Sequence, residues 1–317
     1  MGGACFASSG SQSRCTVPSA TSQVMDSIAS AAIPRCARRI AHALGIAGSM
    51  AGGIIEYLAD GAWTKRLHPG WAAQSGIRAA LLAQHGFVGP RTVFEGTHGL
   101  FFGFAHANEG NFNELTETFG TQWHLQNLTF KPYATGTMNQ PYIDCALRLR
   151  ERGFRAEDVA AVECETADGY VHRLWEPLAA KQRPPNDYAA KFSTPFNIAV
   201  AFVTGGAGFE AFSARTVRDR RVLALAAKVR YTVDPANPYP RAYTGHVKMT
   251  LKDGRAFEER QPHIRGGMHE PLKRAELERK FLGNAAWGGW PRARADRFLA
   301  FSREVFDGKV ALSPFRR

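Results

Sequence analysis

The sequence predicts a mixed α and α+β architecture, an all-helical domain interrupted by an inserted α+β lid domain, and three observations carry that reading. Apolar residues recur at helical spacing ahead of a middle region. Period-2 alternation and Asp-Gly turns mark that middle region as strand-bearing. Helical spacing then returns after Pro262. At 317 residues, 44% of them hydrophobic, the chain can bury two cores. The boundaries read from composition are a disordered leader at 1–38, a first helical part at 39–125, the α+β lid at 126–261 and a helical return at 262–317.

The leader is rich in Ser, Ala and Gly, with Asp26 as its one acid. Arg35, Arg38 and Arg39 suggest a transit peptide, but no amphipathic period supports one. Met1-Gly2 does not open a myristoylation signal, because Phe6 stands where Ser or Thr is needed.

From Ile40 to Gln84 the spacing of Ile40, Leu44 and Ile46, then of Ile77, Leu81 and Leu82, predicts helices. Between them, Pro69-Gly70 is read as a turn ahead of a closely packed helix. Such a turn would set Lys65, Arg66 and His68 beside a helix N-terminus, where cations and unpaired backbone N–H groups together favour a carboxylate. The same trio also suits an ordinary solvated surface. Gly86-Phe-Val-Gly-Pro90 and Phe94 to Phe101 form a turn-rich stretch whose glycines permit close backbone approach and whose aromatics pack at a helix junction. Residues 113–126 read as irregular. Phe130 to Pro141 reads as a long polar loop whose lone cation is Lys131, leading into a helix over Tyr142–Arg152.

Beyond Gly153, Val159–Cys164 alternates, and Asp168-Gly169 is read as a turn with Tyr170–Leu174 as the returning hairpin strand. A second hairpin joins His246–Leu251 to Ala256–Gln261 through Asp253-Gly254. Apolar helical runs at Tyr188–Phe202 and Val217–Ala227 and a strand-like Lys228–Val233 lie between the hairpins. Helices return at Arg274–Phe281, with Pro271 just ahead, and at Ala295–Phe306. Gly206-Ala-Gly208-Phe-Glu-Ala211 matches a dinucleotide fingerprint, but the run before it is Ala-rich and no parallel βαβ series surrounds it. A glycine turn ending a buried helix is the better reading.

The net charge of +12 suits nucleic acid or an anionic substrate. Its cations are scattered and mixed with acids, as in Arg274 to Lys280, which reads as a solvated helix face and argues against nucleic acid. No apolar run is long enough to span a bilayer, so no membrane role is expected. Cys5, Cys15, Cys36, Cys145 and Cys164 form no CxxC pair and lack zinc or disulfide-framework spacing, which points to no metal and a reducing, cytoplasmic compartment.

Ala43-Leu-Gly-Ile-Ala-Gly-Ser49 followed by Lys65-Arg-Leu-His-Pro-Gly-Trp-Ala-Ala73 resembles the MmgE/PrpD family pattern. Further stretches similar to the family follow in the same order: Gly86–Pro90, Phe94-Glu-Gly96, Phe130-Lys-Pro-Tyr133, Asp187–Ser193, and Arg265-Gly-Gly267 with Glu270–Leu272, Glu276-Leu277 and Lys280-Phe281. The resemblance runs from about Ile40 to the C-terminus. It implies a split helical domain with an inserted α+β lid, a small di- or tricarboxylic acid bound between them, and a homodimer through the helical domain. It also implies lyase or isomerase chemistry without a cofactor, of the kind shown by 2-methylcitrate dehydratase in propionate catabolism, cis-aconitate decarboxylase and iminodisuccinate epimerase. That chemistry moves a proton at a carbon beside a carboxylate. Carried over by residue, Lys65 and Lys131 are the catalytic, substrate-side lysines. His68 orients Lys65 or shuttles protons, and Arg66 and Gln140 contribute to substrate binding.

The sequence also departs from the family. Upstream helices bearing an Asp, a Thr and a His, and a later His, have no counterpart, and a shifted reading frame through that segment would account for the leader. Gly136 and Gln140 stand where the family's loop carries histidines, and Phe196 where a Tyr is common. Loss of a helical segment would expose apolar faces of the remaining helices. The alternative function is therefore a catalytically inactive remnant that binds a carboxylate ligand or a protein partner.

Overall fold

The structure, a computed structural model, describes residues 35–107, 110–305 and 308. The expected disorder of the leader falls almost wholly outside the described residues. Residues 35–38, assigned to the leader by composition, instead begin the first helix, α1 (Arg35–Ser49). The chain divides into two compact units, Met1–Tyr57 with Ala62–His124, and Leu58–Gly61 with Leu125–Arg317. The return segment 262–317 groups with the α+β residues in the second unit.

The first unit is built on α1 and α2 (Thr64–Gln84). Small residues form their seam: Ile46, Ala79 and Ala83 are buried, flanked by Ala43, Ala47 and Met50. The buried stripe of α2 is Ser75, Ala79 and Ala83, a four-residue period, whereas Ile77, Leu81 and Leu82, which define its apolar spacing, are exposed. The expected backbone approach occurs at Gly89, where a methyl would lie 2.5 Å from His42 O and 2.6 Å from Ile46 N. The aromatic junction is also present, with Phe101 stacked on Phe112 at 5.0 Å.

The turn expected at Pro69-Gly70 is absent, because Pro69 lies inside α2. Pro69 is past the first turn, so it removes one backbone N–H bond and crowds the carbonyl four residues back, a cost that the long remainder of the helix offsets. The helix therefore begins at Thr64, and Lys65 and Arg66 occupy its first turn.

The second unit carries a four-stranded mixed sheet of order β2-β1-β3-β4. Its strands are β1 (Val159–Thr166), β2 (Val229–Val233), β3 (Gly245–Leu251) and β4 (Ala256–Gln261). β1 pairs in parallel with β2, Val162 opposite Val229, and antiparallel with β3, Val162 opposite Met249. The β3–β4 hairpin forms as expected, with Gly254 at φ +88° in its turn.

The other expected hairpin does not form. Asp168–Tyr170 and Val171–Trp175 are helical, and Tyr170, Leu174 and Trp175 are buried at helical spacing. Gly169 is needed for clearance instead of a turn, since a methyl there would meet the Tyr239 ring at 2.5 Å. Both edges of β1 are taken by β2 and β3.

α3 (Gln140–Arg150) packs on β3 and β4, α4 (Thr194–Thr204) packs on α3, and α5 (Arg220–Ala226) packs on α4. α4 starts where Ser193 Oγ accepts from Phe196 N at 3.0 Å and ends at Gly205, φ +80°. That αL stop settles the glycine-rich stretch as the end of a buried helix, since no β-strand precedes it. The core includes Tyr142 edge-on to Trp175 at 5.7 Å, and Phe154 stacked on Phe257 at 5.1 Å. The unit ends in a helical hairpin, α6 (Arg274–Trp287) and α7 (Arg292–Glu304), joined by Phe281 stacked on Phe298 at 5.5 Å.

Candidate active site

An open cleft of about 1130 Å³ lies within the second unit, walled by residues 131–135, the glycine-rich stretch after α4, and one face of α6. Five cationic side chains, Lys131, Lys191, Arg265, Arg279 and Lys280, line it against two acids, Glu210 and Glu276. Such an excess of fixed positive charge in a concave site concentrates anions.

The Lys131 loop is held on three sides. At its start, Phe130 N donates to Gly266 O at 2.9 Å. Gly266, at φ +93°, leaves no room for a methyl against the Phe130 carbonyl, which explains the glycines of the Arg265-Gly-Gly267 stretch. At its end, the Lys191 carbonyl accepts from Thr135 Oγ1 at 2.7 Å, Gly136 N at 3.0 Å and Asn139 Nδ2 at 3.1 Å. From α6, Lys280 Nζ donates to the Lys131 carbonyl at 2.5 Å. Lys131 Nζ itself reaches Thr135 O at 3.4 Å.

Beneath the loop lies a buried polar network. Arg265 donates to Asp144 Oδ1 at 2.9 Å, to Glu276 Oε1 at 2.5 Å and to the Tyr133 hydroxyl at 2.8 Å. Tyr133 in turn donates to Asp144 Oδ1 at 2.5 Å. Burial pushes the Asp144 carboxyl above its usual range, against the opposing pull of Tyr133 and Arg265. Burial and the Asp144 charge raise the Tyr133 hydroxyl, so it remains a proton donor. Burial lowers the Lys280 ammonium. A lysine displaced that way is easier to deprotonate, which suits a general base or acid beside bound carboxylates.

The residues singled out from sequence fall in both units. In the first, the structure gathers Lys65 and His68 around Tyr57, the Lys65 ammonium 5.8 Å from the ring centroid and the His68 ring 5.8 Å from it, edge-on. Arg66 stacks its guanidinium over Trp63 at 5.0 Å. In the second, Lys131 lines the cleft, but Gln140 does not: it is fully buried at the start of α3, and neither amide atom has a partner. Phe196 is also fully buried. No histidine is among the described residues lining the cleft.

Sequence reasoning missed Arg265, Lys191, Arg279 and Lys280 as site residues. Arg265, Lys191 and Lys280 stood inside the family-like stretches, so the signal was present. The reading of Arg274 to Lys280 as a solvated face holds for Arg274, which pairs with Glu278 at 2.9 Å, but Glu276, Arg279 and Lys280 turn to the cleft. The described residues contain no group of three or more His, Cys, Asp or Glu able to hold a metal, and no helix long and apolar enough to cross a membrane. Cys36, Cys145 and Cys164 are unbridged, and burial pushes the Cys145 thiol up to about 12.

Fold and cleft together define a protein of mixed helix and sheet with a basic cleft. Its sequence matches the MmgE/PrpD N-terminal domain over residues 20–113 and the MmgE/PrpD C-terminal domain over residues 133–303. The chain belongs to the MmgE/PrpD family. It is 29% identical over 257 residues to cis-aconitate decarboxylase of Mus musculus and 28% identical over 253 residues to that of Homo sapiens. Each match covers 77% of this chain and 50% of the relative, so the chain spans about half the length of the curated relatives it matches. A shorter match, 33% over 97 residues, covering 29% of this chain and 20% of the relative, is to the cis-aconitate decarboxylase-like protein oryM of Aspergillus oryzae.

Proposed function

We propose that this chain is a lyase-type enzyme of the MmgE/PrpD family acting on a small di- or tricarboxylic acid. The observation that carries the reading is the cationic cleft around Lys131, in a chain similar to cis-aconitate decarboxylases. Lys131 and Arg279 hold substrate carboxylates. Lys280, whose ammonium burial makes easier to deprotonate, exchanges a proton at the adjacent carbon. In a dehydration, the C–H electron pair becomes the new double bond as the neighbouring hydroxyl leaves with a proton as water. In a decarboxylation, the C–C pair stays on carbon, which is then protonated as carbon dioxide departs. In an epimerisation, the proton returns on the opposite face. For Lys65, Arg66 and His68 of the first unit, substrate-binding and proton-transfer roles rest on the family resemblance alone, and no organic cofactor enters.

A second reading, carboxylate binding without turnover, is favoured by two observations: the cleft lining holds no histidine among the described residues, and Phe196 is buried without a polar side-chain atom where the family commonly has Tyr. Proton NMR of the chain incubated with cis-aconitate and 2-methylcitrate separates the two. New product signals, lost in Lys131→Ala and Lys65→Ala, support the enzyme. Ligand-dependent thermal stabilisation without product supports the binding protein.

A further inference from the structure

The cleft is longer than a compact acid needs. One face of α6 lines it with Lys280, Gly283, Asn284 and Trp287, positions three, four and seven residues apart. At about 1.5 Å of rise per residue, Trp287 lies roughly 10 Å along the helix from Lys280. There its indole stacks on Phe209, centroids 6.0 Å apart and planes at 18°, and the pair stays 53% and 37% exposed. Phe209 also has the Lys191 ammonium 5.3 Å from its ring, which ties the aromatic end of the cleft to the backbone that fixes the Lys131 loop. Between the charged and aromatic ends, glycines leave room beside Asn284: a methyl built on Gly283, Gly206 or Gly208 would meet nothing within 4 Å. A volume of about 1130 Å³ lies just above the range of roughly 300–1,000 Å³ that houses drug-sized ligands.

From this layout we infer that the cleft receives an elongated acid, its carboxylates at Lys131 and Arg279 and an apolar or aromatic substituent laid past Gly283 against Trp287 and Phe209. This rests on the reading of the cleft as a carboxylate site. Trp287, more than half exposed at the cleft lining, supplies apolar surface whose burial rewards such a substituent and gives nothing to a bare dicarboxylate. Gly283 is the passage between the two ends, so a side chain there obstructs the long ligand.

The test is calorimetric titration of the full chain with succinate and with phenylsuccinate. Phenylsuccinate is expected to bind about tenfold more tightly. Trp287→Ala and Gly283→Leu are each expected to bring the ratio of the two affinities close to one. Leu at 283 favours the helix relative to Gly and enters open space, so that variant is expected to fold. Equal affinities in the parent chain, or a ratio unchanged in both variants, overturn the inference while leaving the carboxylate site intact. Binding of neither acid by folded protein overturns both.

Discussion

Lys280 reaches from α6 to the backbone carbonyl of Lys131 at 2.5 Å, so one cleft cation holds the loop that presents the other. The bond is charge-assisted but exposed to water, so its own contribution is about 1 kcal/mol. Lys280→Met is therefore expected to weaken dicarboxylate binding by roughly tenfold or more, through lost charge and a loosened loop. Lys280→Arg is expected to restore part of it. Calorimetric titration of the three proteins with succinate checks this, and equal affinity in Lys280→Met would remove Lys280 from the site.

Arg265 is expected to be the most sensitive surface-to-core connection in the second unit. Arg265→Met leaves the Asp144 carboxylate, 5% exposed in its side chain, without its cation, and breaking such a buried pair costs about 3 kcal/mol or more. The folded-state pKa of Asp144 is already raised by burial. Any stability it contributes is therefore present at low pH and lost as pH rises through the folded value. Without Arg265 that value rises further, so the melting-point deficit of Arg265→Met should grow as pH rises through the raised folded value of the parent chain.

Glu259 titrates the other way. Burial would raise its carboxyl, but Arg148 at 2.9 Å and Arg152 at 3.0 Å outweigh burial and hold it below the usual range. Its contribution is present above the ordinary glutamate pKa and lost as pH falls through the lowered folded value. Glu259→Gln should destabilise by about 1 kcal/mol at pH 7, a deficit that shrinks in chemical denaturation as pH falls through the lowered folded value.

The α1–α2 unit is expected to be intolerant of small additions and tolerant of polar ones, according to position. Gly89→Ala places a methyl against His42 O and Ile46 N, and should destabilise by more than the 0.4–1 kcal/mol typical of backbone entropy changes alone. Ile77→Gln, Leu81→Gln and Leu82→Gln, at exposed positions, should leave the melting point within about 1 °C and reduce binding of a hydrophobic dye.

Much of this fold was legible in the residues because local signals agreed with packing. Asp253-Gly254 between alternating runs gave the β3–β4 hairpin, and the glycines after the apolar run gave the end of α4, although the run read from Tyr188 becomes α4 only at Thr194. The hairpin after β1 was misread because Tyr170–Leu174 is short and apolar, and only the tertiary fact that β2 and β3 take both edges of β1 decides against it. Pro69 was misread because a proline near a helix start and one in a turn look alike over a few residues. At the site, Lys131 was visible through family resemblance, whereas Lys191 and Arg265 owe their place to partners 56 and 121 residues away, which no local pattern encodes. Gln140 looked like a loop-end binding residue, and only the packing of α3 shows it buried.

The central claim is that the cleft of the second unit is a carboxylate site built on Lys131, and calorimetric titration of the full chain with cis-aconitate tests it most directly. Saturable binding, weakened at least about tenfold in Lys131→Met at unchanged melting temperature, is the result expected for a lost charge-assisted contact. Binding of equal strength in Lys131→Met, or no binding by folded protein, would contradict it.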